Sequence, residues 1–154
     1  MLLLKTGDTA PNFTLLNQDN QTVALSDLLK TKQVLVYFYP KAMTPGCTVQ
    51  ACALRDSEAE FAAKGVTVVG ISTDPVKSLA KFALRDQLNF TLLSDPDHQI
   101  AEAFGVWGEK KFMGKIYDGI HRISFLIGQD GLIKQVYQDF KTSNHHQVVL
   151  ESLP

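Results

Sequence analysis

Tyr39-Pro-Lys-Ala-Met-Thr-Pro-Gly-Cys47, followed by Thr-Val-Gln-Ala-Cys52, concentrates the groups in this chain that could do chemistry. Its two cysteines are the only ones in 154 residues. Cys47 is expected in the first turn of a helix, where free N–H groups and the positive end of the helix dipole favour a thiolate. The ordinary alternative is a small buried hydrophobe at a helix end, a common fate of a free cysteine. Thr44 places a hydroxyl one turn before Cys47, able both to donate and to accept; it could equally be an N-cap. Pro40 and Pro45 stiffen the loop and remove two backbone donors near the sulfur, although helix punctuation alone would account for them. Cys52 lies five residues on. Two cysteines leave redox chemistry, half a metal site or two inert core residues open.

The elements around this segment explain why it would be positioned. Val34–Tyr39, VLVYFY, is continuously apolar, β-branched and aromatic, the pattern of a strand buried on both faces. A helix is expected over Cys47–Lys64, stopped by Gly65. Val66–Ser72 reads as a second buried strand, and Thr73-Asp74-Pro75 opens a helix to about Leu88. Phe90–Leu93 is a short strand, and a third helix runs from Asp95-Pro96 to Phe104-Gly105. Arg122–Ile127 is a strand whose hairpin turn, Gly128–Gly131, leads to a return strand, Leu132–Tyr137. Before all of these, Asn12–Leu16 and Gln21–Leu25 form a hairpin across Asp19-Asn20. Ser26-Asp27 is an N-cap region for a short helix over Leu28–Lys30. A last helix lies in about Ser143–Leu153. Alternation of strands and helices followed by a hairpin predicts an α/β fold: a mixed central sheet with helices on both faces and an N-terminal β-hairpin. Cys47 then falls at the carboxyl end of a buried strand, where such sheets build their sites.

Composition narrows the function. The chain is 45% hydrophobic and 20% charged, enough apolar material for one core, so residues 1–154 are expected to form a single domain. Fifteen Lys and Arg against sixteen Asp and Glu leave a net charge of −1, which argues against nucleic acid as a partner. No apolar run reaches the roughly 18 residues that span a bilayer. The apolar start, Met1–Leu4, is too short for a signal peptide. A cytoplasmic location is expected, with no membrane partner. His145-His146 stand without a Cys-x-x-Cys, so no zinc site is expected. Gly105–Lys115 lacks phosphate-loop spacing.

Pro40-x-x-x-Thr44-x-x-Cys47 resembles the active-site signature of peroxiredoxins, thiol peroxidases of the thioredoxin fold. The string YFYPKAMTPGCTVQACALRD is similar to the peroxiredoxin Q or bacterioferritin comigratory protein subfamily. GDTAPNFTL, GISTDP, SDPD, AFGVWGEK and HRISFLI extend the likeness over nearly the whole chain. The resemblance implies Cys47 as peroxidatic cysteine and Cys52 as a resolving cysteine on the same helix. It implies Thr44 and Arg122 as groups that orient and polarise the peroxide, and Pro40, Pro45 and Gly46 as the pocket. It further implies an atypical 2-Cys enzyme that reduces hydrogen peroxide and organic hydroperoxides. A Cys47–Cys52 disulfide would be recycled by thioredoxin or a similar dithiol, without a cofactor or metal, in a monomer. Leu79, Ala80 and Ala83 occupy the following helix and no third cysteine exists, so resolution from that helix is excluded. Ala42, Met43 and Gln129 depart from residues common in the subfamily. The alternative function is a redox-sensing interaction module using the same oxidation of Cys47. Arg55 and Arg85, the other two arginines, adjoin Asp56 and Asp86 and are expected in exposed ion pairs.

Overall fold

The computed structural model describes residues 2–154; Met1, the first residue of the short apolar start, lies outside the described residues. Seven strands form one mixed sheet. In chain order they are β1 (Thr14–Asn17), β2 (Thr22–Ala24), β3 (Gln33–Phe38), β4 (Val66–Ser72), β5 (Thr91–Ser94), β8 (Ser124–Ile127) and β9 (Ile133–Tyr137), in the spatial order β2-β1-β5-β4-β3-β8-β9. The three central strands β5, β4 and β3 are parallel, and β8 joins β3 antiparallel with Tyr37 opposite Ser124. The β1–β2 and β8–β9 hairpins close the two edges.

Strand β3 shows why the central sheet needs two covered faces. Val34, Val36 and Phe38 point into one core with Phe13, Phe104 and Phe125. Leu35, Tyr37 and the following Tyr39 point into the other, with Cys47, Leu54, Phe82 and Val149. Successive side chains alternate across a strand, so a continuous apolar run requires helices on both sides. One face is covered by α2 (Pro45–Asp56), α3 (Glu58–Ala63), α4 (Val76–Arg85) and α6 (His145–Ser152), the other by α1 (Leu25–Leu28) and α5 (Gln99–Ala103). The expected mixed α/β architecture and N-terminal hairpin are both present.

Four local expectations need correction. The helix expected over Cys47–Lys64 is two helices, α2 and α3, broken at buried Ser57 (φ −102°, ψ 3°). The first short helix begins at Leu25, with Ala24 rather than Ser26 or Asp27 at its cap and no side-chain cap bond. The helix expected from Asp95-Pro96 is the short α5, and Asp95 caps it from a distance by accepting from the Ile100 and Ala101 amides at 3.2 and 2.9 Å. Finally, residues 107–120 form an unexpected two-stranded ribbon, β6 (Trp107–Phe112) and β7 (Lys115–Ile120), which returns the chain directly to Arg122.

Candidate active site

The end of β3 and the start of α2 bring the chemistry together. Pro40 is half-buried just past the strand, and Pro45 is the exposed first residue of α2, where a missing N–H costs nothing. Thr44 occupies the N-cap position in extended conformation (φ −72°, ψ 155°) but makes no side-chain cap bond. Its hydroxyl instead donates to Lys41 O at 2.8 Å. Among the described residues, no side chain or carbonyl takes up the Gly46 and Cys47 amides of the first turn. These are two of the orphan donors that every helix N-terminus carries.

Cys47 is 1% exposed, and Arg122 crosses to it from the segment before β8. Arg122 Nη1 lies 3.4 Å from Cys47 Sγ and donates to Gln50 Oε1 at 2.7 Å. The guanidinium also passes over Gly46, where an added Cβ would stand 3.6 Å from Nη2 and 3.6 Å from Thr142 Cγ2. The guanidinium is a permanent cation beside this buried sulfur, because arginine does not deprotonate. Beneath α2, Tyr37 and Tyr39 stack with centroids 5.3 Å apart, and neither phenol oxygen has a hydrogen-bond partner among the described residues. Burial pushes both phenols well above their ordinary range, so they form a neutral floor.

The structure thus gathers Pro40, Thr44, Pro45, Gly46, Cys47 and Arg122 at one end of the sheet. Cys52 shares α2 with Cys47, is partly exposed, and is a free thiol, as is Cys47. Arg55 and Arg85 pair with Asp56 and Asp86 as expected. Arg85 also donates to Thr48 Oγ1 at 2.8 Å, next to Cys47.

Gln50 and Lys110 escaped the sequence reading, as did the burial of His145. Gln50 is fully buried three residues after Cys47, a spacing that puts both on one helix face. Lys110, on β6, donates to Ile120 O at 2.8 Å. Its pKa is lowered, first by burial and then by Arg122, while Cys47 opposes the shift. His145 is completely buried against Phe140, with Nε2 2.8 Å from Ser124 Oγ; burial, then His146 and Arg122, lower its pKa to about 3. Met43 holds a left-handed conformation, φ 66°, between Ala42 and Thr44. Gln129 uses its amide to hold Leu29 O at 3.0 Å. Among the described residues, no group of three His, Cys, Asp or Glu could hold a metal ion.

A cysteine sulfur under a fixed cation, with uncommitted amides and a hydroxyl alongside, is an arrangement able to attack an electrophile whose leaving atom becomes an anion. Comparison with known proteins agrees. The AhpC/TSA family model matches residues 6–136. Over 150 residues, covering 97% of this chain and 96% of the relative, the sequence is 65% identical to peroxiredoxin Bcp of Escherichia coli strain K12. The crystal structure of peroxidoxin BcpB from Mycobacterium tuberculosis superposes with a TM-score of 0.86 at 40% identity, over 96% of this chain and 95% of that one. A Xanthomonas campestris bacterioferritin comigratory protein, described for its alkyl peroxide reduction activity, gives a TM-score of 0.86 at 30% identity, over 98% and 95%.

Proposed function

This chain belongs to the AhpC/TSA family, among its Bcp and peroxiredoxin Q members, and on that premise we propose a division of labour for its residues. It is a thiol-dependent peroxidase that uses a peroxide and a thiol reductant. Cys47 is the nucleophile, and the observation that carries this reading is the Arg122 guanidinium 3.4 Å from its buried sulfur.

The Cys47 thiolate attacks one oxygen of the hydroperoxide and the O–O bond breaks. Cys47 becomes a sulfenic acid, and the other oxygen leaves as alkoxide or hydroxide and takes up a proton. Negative charge grows on that leaving oxygen. Arg122 and the Gly46 and Cys47 amides are the donors that face it, and charge-assisted donors in a dry pocket are worth most there. The Thr44 hydroxyl, its own proton engaged by Lys41 O, accepts from the peroxide O–H and aligns the O–O bond. Pro40, Pro45 and Gly46 shape the pocket, with the guanidinium packed against Gly46.

Cys52 then attacks the sulfenic sulfur, releasing water and forming the Cys47–Cys52 disulfide. A dithiol protein such as thioredoxin reduces it by exchange, becoming the disulfide itself. Organic hydroperoxides and hydrogen peroxide are the substrates; the alkyl peroxide activity of the Xanthomonas campestris relative supports the first. We read residues 1–154 as one thioredoxin-like domain, working as a monomer in the cytoplasm; no helix of the described residues is long and apolar enough to cross a membrane. Peroxide consumption coupled to thioredoxin and its reductase tests the reading: the wild type turns over and Cys47→Ser does not. Light scattering of the reduced protein tests the monomer.

A further inference from the structure

We propose that Asp74 is a positioning residue for the oxidation step, acting on the Thr44 hydroxyl through a single peptide unit; this rests on the role given to Thr44 above. Asp74 follows the C-terminal end of β4 and would ordinarily be read as opening α4. It does not cap that helix: the N-cap residue is Pro75, and no side-chain cap bond is made. Its carboxylate turns to the active-site loop instead. Asp74 Oδ2 accepts from the Ala42 amide at 2.8 Å and from Ser72 Oγ at 2.7 Å. The Asp74 main-chain carbonyl is held in turn by Ser94 Oγ at 2.6 Å. Ser72 and Ser94 are buried at the ends of neighbouring strands, so the carboxylate is fixed to the sheet rather than to the loop.

The Ala42 N–H and the Lys41 C=O belong to one planar peptide group. Asp74 holds its N–H end, and Thr44 Oγ1 donates to its C=O end at 2.8 Å. The plane therefore transmits the position of Asp74 to the Thr44 hydroxyl. An anion on the N–H side also polarises the carbonyl and strengthens it as an acceptor, as in any hydrogen-bonded chain. The hydroxyl proton stays directed at Lys41 O, and the lone pairs of Oγ1 are left to accept from a hydroperoxide. Met43, at φ 66°, sits between the two anchored residues. A non-glycine residue stays in that region only where its surroundings over-determine it, which a loop pinned at Ala42 and Thr44 provides.

The sign of the expected effect separates this role from simple electrostatics. A carboxylate opposes a thiolate's charge, so removing the charge of Asp74 would not by itself slow the oxidation. Loss of the relay slows it. The experiment is stopped-flow, single-turnover oxidation of reduced protein by hydrogen peroxide, for Asp74→Ala, Asp74→Asn and Thr44→Val, singly and in combination. Asp74→Ala should be slower than wild type by about tenfold to a hundredfold, the scale of a reactant group misplaced by about an ångström. Asp74→Asn keeps an acceptor oxygen and should restore much of the rate while remaining severalfold slow. In the Thr44→Val background neither Asp74 variant should slow the reaction further. Additive slowing in that background, or an Asp74→Asn rate at or above wild type, overturns the relay. Thr44→Val oxidising at the wild-type rate removes the role of Thr44 itself and the relay with it, a different result from additivity. Should Asp74→Ala fail to fold by circular dichroism, the Asp74→Asn and Thr44→Val pair completes the same cycle.

Discussion

Arg122 and Gln50 hold one another beside the Cys47 sulfur, with Nη1 2.7 Å from Gln50 Oε1 and 3.4 Å from Cys47 Sγ. The amide oxygen directs the guanidinium without neutralising it. A carboxylate there would bind Arg122 more strongly and compete with the thiolate for its charge. Arg122→Ala should slow single-turnover oxidation by about 10²–10³, the usual cost of one preorganised donor. Gln50→Glu should slow it less and reduce the alkylation rate of Cys47 by iodoacetamide at neutral pH. Alkylation and oxidation rates equal to wild type in both variants would leave Arg122 a structural residue.

The two cysteines should fail at different steps. Cys47→Ser removes the nucleophile, so no peroxide is consumed even in a single turnover. Cys52→Ser should oxidise once at close to the wild-type rate and stop as the sulfenic acid, trapped by dimedone and seen by mass spectrometry. Loss of the first oxidation in Cys52→Ser would reverse the assignment.

His145 gives the fold an acid-sensitive point, buried between Tyr37 and Phe140. Its folded pKa, lowered to about 3 mainly by burial, lies below the ordinary value of 6.5. The unfolded chain therefore binds a proton that the folded chain refuses throughout that interval. Stability from this group is complete above about pH 6.5 and is lost as pH falls toward about 3, at up to about 1.4 kcal/mol per pH unit. His145→Gln should flatten the midpoint-against-pH curve between pH 6 and 4, measured by thermal unfolding. A curve as steep as the wild type would place the acid sensitivity elsewhere.

How much of this was legible in the sequence depended on where the determining force lay. Strand β3 and the start of α2 were readable because an unbroken apolar run and a proline-glycine entry are local signals. Arg122 was readable only through the resemblance. The β6–β7 ribbon was not, since Trp107–Ile120 mixes glycines and lysines with apolar residues and leaves Phe112, Met113 and Ile116 largely exposed; pairing, not burial, makes it. The break at Ser57 was hidden because Leu54 and Phe61, seven residues apart, keep helical periodicity across it. Gln50 and His145 have polar types that ordinarily lie outside, and only tertiary packing buries them. Asp74 sits where a helix opener belongs, and its partner Ala42 is 32 residues away.

Disulfide formation requires α2 to open. Cys47 and Cys52 lie in one continuous helix, which spaces their α-carbons by about 8.6 Å. A disulfide needs them within about 7 Å with converging Cβ atoms. The structure shows what restrains the opening. Arg85 donates to Thr48 Oγ1 at 2.8 Å, Arg55 donates to Asp86 O at 2.7 Å, and Asn89 Nδ2 donates to Arg55 O at 3.1 Å. These three contacts tie the segment from Thr48 to Arg55 to the end of α4 and the turn after it. Weakening the first of them should favour the open helix, because Thr48 adjoins Cys47 and helix ends open at least cost. Arg85→Ala should therefore form the disulfide faster after oxidation and show less sulfinic acid at high peroxide, with the first oxidation step little changed. Hydrogen exchange should show the amides of residues 48–55 protected in the reduced protein and exposed in the disulfide form, with intermediate protection in reduced Arg85→Ala. Equal protection of that segment in the reduced and disulfide forms of a monomeric protein would rule out the opening.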